Sequence, residues 1–197
     1  MSFLLGLTGS IGMGKSATAR LFEQQGCALW DADAAVHRLY AENGLAVAPL
    51  AALCPEAIID KAVSRPALKV AIAQDAGLLN KIEAIVHPLV SADRTDFIRE
   101  TSANIVVFDI PLLFETGADA QMNAVVTVSI SPEIQFERVM ARGTMSKDQF
   151  QAILAKQMPD AEKRRRADYV IVTDTPDHAA KQVQDVLADI TRRLADA

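Results

Sequence analysis

The hydrophobic pattern changes period several times within the first 45 residues. Phe3 to Thr8 (FLLGLT) is a continuous apolar run closed by a glycine turn, as expected of a parallel strand buried on both faces. After it, Ala17, Leu21 and Phe22 recur at helical spacing, with Gly26 placed to stop that helix. CALWD (Cys27–Asp31) reads as a second short strand, and ADAAVHRLYAENG as a helix ended by Asn43 and Gly44. A β-α-β-α start predicts a layered α/β fold on a parallel sheet. From Leu45 to about Ser102 no strand pattern is found. Helical apolar spacing, punctuated by Pro66 and Pro88, predicts a helical insertion that forms a second lobe over a substrate site. Strand signals return at Ile105–Phe108 and Asn123–Ile130. Ser131 and Pro132 then supply the N-cap and first position of a helix stopped by Gly143. Ser146 caps another helix, a basic turn (Lys163–Arg166) leads to a fifth strand at Tyr169–Thr173, and Asp177–Leu194 closes the chain as an amphipathic helix. The predicted division is a core of residues 1–44, 103–142 and 167–197, a helical insertion of residues 45–102, and a small helical lid at residues 143–166.

Between the first strand and the first helix stands Gly9-Ser10-Ile11-Gly12-Met13-Gly14-Lys15-Ser16, a complete G-x-x-x-x-G-K-[ST] phosphate loop. Glycines let successive N–H groups turn inward onto phosphate oxygens, and the following helix aims its positive end at the same point. Lys15 adds a full positive charge for the outer phosphates, and the Ser16 hydroxyl can ligate Mg²⁺. Gly12, Met13, Gly14, Lys15, Ser16 and Ala17 are the expected nucleotide-binding residues. With the strand pattern, the motif predicts a three-layer P-loop NTPase core with a parallel five-stranded sheet.

Asp31 and Asp33 raise a question of charge, because carboxylates beside a phosphate cradle need a purpose. Either could cap the helix that follows. Either could instead orient a hydroxyl acceptor and take its proton, as an Asp does in other kinases, while its companion holds Mg²⁺ waters or caps the helix. Asp109, just beyond the Ile105–Phe108 strand, occupies a Walker-B-type position or simply binds a backbone amide. Arg138 and Arg142 lie four apart on one helical face and either reach phosphate or are solvated. The run Lys163–Arg166 reads as a solvated face that a mobile flap would carry over the nucleotide. His87-Pro88 marks a possible helix break with a structural histidine. NKIE (Asn80–Glu83) lacks the aspartate and the strand context of a guanine-reading motif.

Composition narrows the function classes. Half of the 197 residues are hydrophobic and 23% are charged, ordinary for a globular protein. A net charge of −5 and only 5% aromatics weigh against nucleic-acid binding. No apolar run approaches a membrane span, and the N-terminus lacks the pattern of a secretory signal. Cys27 and Cys54 have no metal-ligand spacing, and Cys27 in its apolar run reads as a buried free thiol. A reducing compartment, the cytoplasm, is expected, with no membrane and no nucleic-acid partner.

LTGSIGMGKS, DADAAVHRL, VHPLV, DIPLLFE and ADYVI, in that order from Leu7 to about Thr173, resemble the dephospho-CoA kinase family. The resemblance implies transfer of the ATP γ-phosphate to the ribose 3′-hydroxyl of dephospho-CoA, the last step of coenzyme A biosynthesis, with ATP and Mg²⁺ as the nucleotide and metal. It implies that Asp33 activates the hydroxyl, Lys15 stabilises the transferring phosphoryl, Ser16 ligates Mg²⁺ with Asp31 as a second metal candidate, and Arg142 is the lid arginine, with Arg138 as second choice. Thr8, Asp33, Arg65, His87, Pro88 and Leu112 would contact the acceptor. Where the family often has Asn after ADYVI, this chain has Thr173 and Asp174. A monomer is expected. Two other readings remain: a P-loop kinase for another small acceptor, for which Arg65, Arg94 and Arg99 are few arginines, and a nucleotide switch, which lacks the guanine motif.

Overall fold

The structure is a computed structural model that describes residues 2–75 and 77–196. The expected outer bounds of the core, residues 1 and 197, and position 76 of the expected insertion lie outside the described residues. The chain runs β1 (Phe3–Thr8), α1 (Lys15–Gln24), β2 (Ala28–Asp31), α2 (Ala32–Tyr40), α3 (Val47–Leu53), β3 (Ile58–Ile59), β4 (Ala62–Val63), α4 (Arg65–Gln74) and α5 (Leu78–Glu100). It continues with β5 (Ile105–Asp109), β6 (Ala124–Ser129), α6 (Pro132–Ala141), α7 (Lys147–Leu154), α8 (Asp160–Arg166), β7 (Tyr169–Val172) and α9 (Pro176–Ala195). Two compact units result: one comprises the chain up to Leu29 and from Ser102 onward, the other Trp30–Thr101.

The larger unit is built on the predicted five-stranded parallel sheet, order β2-β5-β1-β6-β7, with helices on both sides. β1 is central: Phe3 to Leu7 align with Ile105 to Asp109, and Leu5 to Thr8 with Ala124 to Thr127. All six residues of β6 are buried, which explains its unbroken apolar pattern. Its side chains divide with period two. Ala124, Val126 and Val128 join Leu5, Leu7, Phe22, Val183 and Ile190 in the main core, while Val125 packs with Leu113 and Phe114 on the other side. Phe22, fully buried on α1, is a principal filler, and its truncation to Ala would cost about 3–5 kcal/mol. The helix starts follow the sequence signals. Ser131, Ser146 and Thr175 accept from the N–H groups of Ile134, Gln149 and His178, and Ser146 with Gln149 forms a complete capping box.

The smaller unit has its own core, with Leu39, Leu50, Cys54, Leu68, Ile82 and Val86 among its buried residues. Two expectations are corrected here. The stretch expected to lack strands contains an antiparallel hairpin, Ile58 opposite Val63 and Ile59 opposite Ala62. Its two-residue turn places Asp60 (φ 49°) and Lys61 (φ 63°) in the left-handed region, the signature of a type I′ turn. Strands of two residues leave no alternating pattern, and Asp-Lys is not the Asn-Gly that advertises such a turn. The second correction concerns His87-Pro88, where no break occurs: α5 is continuous for 23 residues with Pro88 inside it. Proline removes one backbone donor, but packing on both sides holds the helix together. Leu78, Ile82 and Val86 are buried before it, and Asp93 is bonded by Trp30 and Arg38 after it.

Candidate active site

The phosphate loop is shaped by what surrounds it. Gly12 (φ 81°) and Gly14 (φ 90°) both adopt the left-handed conformation, and a Cβ on Gly12 would lie 2.5 Å from Val139 Cγ2. The Met13 N–H donates to the Ser10 carbonyl at 3.1 Å, closing the turn. Side chains hold the loop from outside: Gln157 Oε1 accepts from the Ile11 N–H at 3.1 Å, and Gln135 Nε2 donates to the Ile11 carbonyl at 2.7 Å. The Thr173 hydroxyl donates to the Met13 carbonyl at 2.8 Å. With those groups satisfied elsewhere, the loop is preorganised, and α1 begins at Lys15 with its N-terminal amides facing the cradle. Ser16 and Ala17 are exposed in that first turn.

Lys15 Nζ donates to Asp109 Oδ1, and both groups are largely withdrawn from solvent. Asp109 stands at the end of β5 with its carboxylate turned to the phosphate-loop lysine. A strand-end position set it there, since Leu7 and Asp109 are aligned across the sheet. Beside the loop is a cavity of about 310 Å³, lined by Gly12, Ala17, Leu21, Arg138, Arg142 and Thr173 among others. It has the size of a small-ligand site and opens onto the phosphate loop. The two arginines differ. Arg138 is committed to the β7–α9 connection, donating to Thr173 Oγ1 at 3.1 Å and the Thr173 carbonyl at 2.7 Å. Arg142 caps the C-terminal end of α6, is exposed and lines the cavity.

Thr8 is fully buried, and its hydroxyl donates to the Pro111 carbonyl at 3.0 Å. Leu112, in the loop after β5, is 41% exposed although its neighbour Leu113 is sealed. The basic run is not a uniformly solvated face, which corrects that expectation. Lys163 is fully buried against Glu115, and Arg166 pairs with Asp119 and lies over the Phe114 ring. A run of four cations on a short helix conceals that its first member points inward.

In the smaller unit Asp31 is the N-cap of α2, its Oδ1 accepting from the Ala34 N–H at 2.8 Å. Asp33 stands exposed in the first turn, where the helix end favours its negative charge. His87 and Pro88 are exposed on α5, and Arg65 opens α4 with its guanidinium 5.9 Å from the Tyr40 ring centre. One cluster had no motif to announce it. Asp93 accepts from Trp30 Nε1 at 2.8 Å and from Arg38 Nη2 at 2.6 Å, binding α2 to α5. Burial alone would raise the Asp93 carboxyl, but the bonds from Arg38 and then Trp30 outweigh it and hold the group below its usual range. Among the described residues no group of three or more His, Cys, Asp or Glu side chains could hold a metal. Mg²⁺ does not require one, since it is commonly held by one or two protein oxygens with phosphates and water. The oxygen donors Ser16 and Asp109 fit that pattern.

The family model for dephospho-CoA kinase matches residues 3–178. The chain belongs to the dephospho-CoA kinase family. The dephospho-CoA kinase of Ruegeria pomeroyi is 64% identical over 96% of each chain. That of a Jannaschia species is 55% identical over 97% of this chain and 98% of its own. A crystal structure of a Thermus thermophilus protein superposes with a TM-score of 0.85 at 32% identity, covering 95% of this chain and 97% of that one. The chain is accordingly a phosphotransferase that uses ATP to phosphorylate dephospho-CoA, the last step of coenzyme A biosynthesis. Thr173 lines the cavity, its hydroxyl bonded to the Met13 carbonyl and to Arg138.

Proposed function

We propose that Asp33 is the base of this reaction, taking the proton from the ribose 3′-hydroxyl as its oxygen attacks the γ-phosphorus of ATP. The new bond joins the 3′-oxygen to phosphorus, the bond from the γ-phosphorus to the bridging oxygen breaks, and ADP leaves with the bridging electrons. The phosphates lie against the amides of Gly12 to Ala17, and the base of the nucleotide occupies the neighbouring cavity. Lys15 exchanges Asp109 for the phosphoryl oxygens and meets the charge that builds on them. Arg142, whose cation is exposed at the cavity, adds to that charge stabilisation. Ser16, with Asp109 or Asp31, would hold Mg²⁺, which would neutralise charge on the β- and γ-phosphates.

Arg65, His87, Pro88 and Leu112 form the acceptor contacts. Thr8, whose hydroxyl donates to the Pro111 carbonyl, sits beside the acceptor. Residues 143–166 form the lid. The protein works as a monomer in the cytoplasm, without membrane or nucleic-acid partners. Among the described residues no helix is long and apolar enough to cross a membrane.

The observation that carries this reading is the preorganised phosphate loop, with Lys15 held on Asp109, in a chain that matches dephospho-CoA kinases nearly end to end. The test is a mass-spectrometric assay with Mg²⁺-ATP and dephospho-CoA, beside adenosine, AMP and no acceptor. A product one phosphate heavier with dephospho-CoA alone is expected. Equal ATP consumption in every tube would overturn the reading.

A further inference from the structure

The loop that follows β5 is gripped far more firmly than a surface turn requires. Lys163, on α8, has no solvent exposure, an unusual state for a lysine. Its Nζ lies 2.9 Å from Glu115 Oε1 and donates to the Pro111 carbonyl at 3.3 Å. Glu115 Oε1 also accepts from the Met158 N–H at 2.8 Å, so one carboxylate ties both the approach to α8 and its buried lysine. The Pro111 carbonyl accepts a second bond from Thr8, the residue preceding the phosphate loop. Arg166, one turn of α8 further, lies 4.7 Å over the Phe114 ring and bonds Asp119 at 3.0 Å.

Burying an ammonium group is a poor way to gain stability, because an apolar side chain of the same volume does at least as well. What the ion pair adds is direction: its hydrogen bonds fix the loop at the Pro111 carbonyl and the Glu115 carboxylate. Leu113 and Phe114 fill the space beneath. Leu112, between these fixed points, is held 41% exposed.

We propose that Lys163 is a positioning residue for the acceptor site: with Glu115 it fixes the Pro111–Glu115 loop and so sets where Leu112 meets dephospho-CoA. This rests on the reading that Leu112 contacts the acceptor.

The test is steady-state kinetics of Lys163→Met, Glu115→Gln and Leu112→Ala, with each substrate varied while the other saturates. A small displacement of a substrate-contacting group is costly, so Lys163→Met should raise KM for dephospho-CoA about tenfold. KM for ATP should hold at the wild-type value, and kcat should change much less than the acceptor KM. Glu115→Gln, which keeps the side-chain volume and an acceptor oxygen, should shift the same constant in the same direction by less. If Lys163→Met does not fold, Glu115→Gln decides alone. A raised acceptor KM in Leu112→Ala with none in the other two would overturn the role of Lys163. So would a parallel loss for both substrates in step with thermal stability. An unchanged acceptor KM in Leu112→Ala would instead remove Leu112 from the acceptor site, and the proposal with it.

Discussion

The ammonium of Lys15 is paired with the carboxylate of Asp109 across the mouth of the phosphate loop. The pair keeps the lysine extended toward the end of β5, and nucleotide phosphates must compete for it. Lys15→Ala should therefore weaken ADP binding by at least about tenfold and lower kcat by about 10²–10³, the scale of losing one charge-stabilising donor. Calorimetric titration with ADP and steady-state rates check this. Asp109→Asn should leave ADP binding intact and raise the Mg²⁺ concentration needed for half-maximal rate.

Asp33 and Asp31 should separate cleanly. Asp33→Asn is expected to bind ADP normally while kcat falls by about 10²–10⁴, the contribution of a positioned base. Asp31→Asn should be mild, because Asn caps a helix about as well as Asp. Asp31→Ala should cost about 0.5–2 kcal/mol of stability through loss of the bond from the Ala34 N–H. Rates and thermal melts of the three variants provide the comparison. If Asp31→Asn loses its response to Mg²⁺, Asp31 is a metal ligand as well as a cap.

Gly12→Ala places a methyl group 2.5 Å from Val139 Cγ2 at a φ of 81°. Strain of this kind costs about 1–3 kcal/mol. The loop must shift to relieve it, so the variant should melt lower and bind ADP more weakly. A variant with wild-type melting and wild-type affinity would show that the loop is not held in the form described.

The protein has a single tryptophan, and Trp30 is bonded to Asp93. Asp93→Ala removes an acceptor shared by Trp30 and Arg38 and should destabilise the smaller unit by about 2–3 kcal/mol. The Asp93 carboxyl is depressed below its ordinary value of 3.8, so its contribution is present above that pH and is lost as pH falls through the lower, folded value. Acid unfolding followed by Trp30 emission should therefore lose stability below about pH 4 in the wild type, and Asp93→Asn should lack that component.

Cys27 and Cys54 are free and buried, and burial pushes the Cys27 thiol up to about 11. Little thiolate forms near pH 8, so neither cysteine should react with a disulfide reagent until the protein unfolds. Because the folded thiol titrates above the unfolded one at 9.0, stability should decline as pH rises from 9 toward 11. Thiol titration with and without denaturant measures the first effect, and melts across that range the second.

The parts most legible in the sequence were those fixed by local rules. The phosphate loop, the Ser131-Pro132 and Ser146 helix starts, and the apolar runs of β1, β5 and β6 each depend on residues close in the chain. The hairpin at Ile58–Val63 was not legible, because two-residue strands carry no period and its turn uses no glycine. The continuity of α5 through Pro88 depends on packing on either side of the proline, which local propensity does not see. The burial of Lys163 and the gathering of Trp30 and Arg38 on Asp93 are long-range events, spanning 48 residues to Glu115 and 55 or more to Asp93. The assignment of Asp31 as the cap required the bond to Ala34 itself, since both aspartates suited the role.

The position of β1 in the sheet dictates an order of assembly. Phe3 pairs with Ile105 and Leu5 with Ala124, so the first strand has no neighbour until more than a hundred further residues have been made. Closing such long-range parallel pairings is slow. The smaller unit, by contrast, is contiguous from Trp30 to Thr101, with its own core and hairpin. During synthesis on the ribosome it can condense while β1 waits, shortening the effective tether between β1 and β5. The phosphate loop, strung between β1 and α1 near the start of the chain, is therefore among the last parts of the protein to take its working shape.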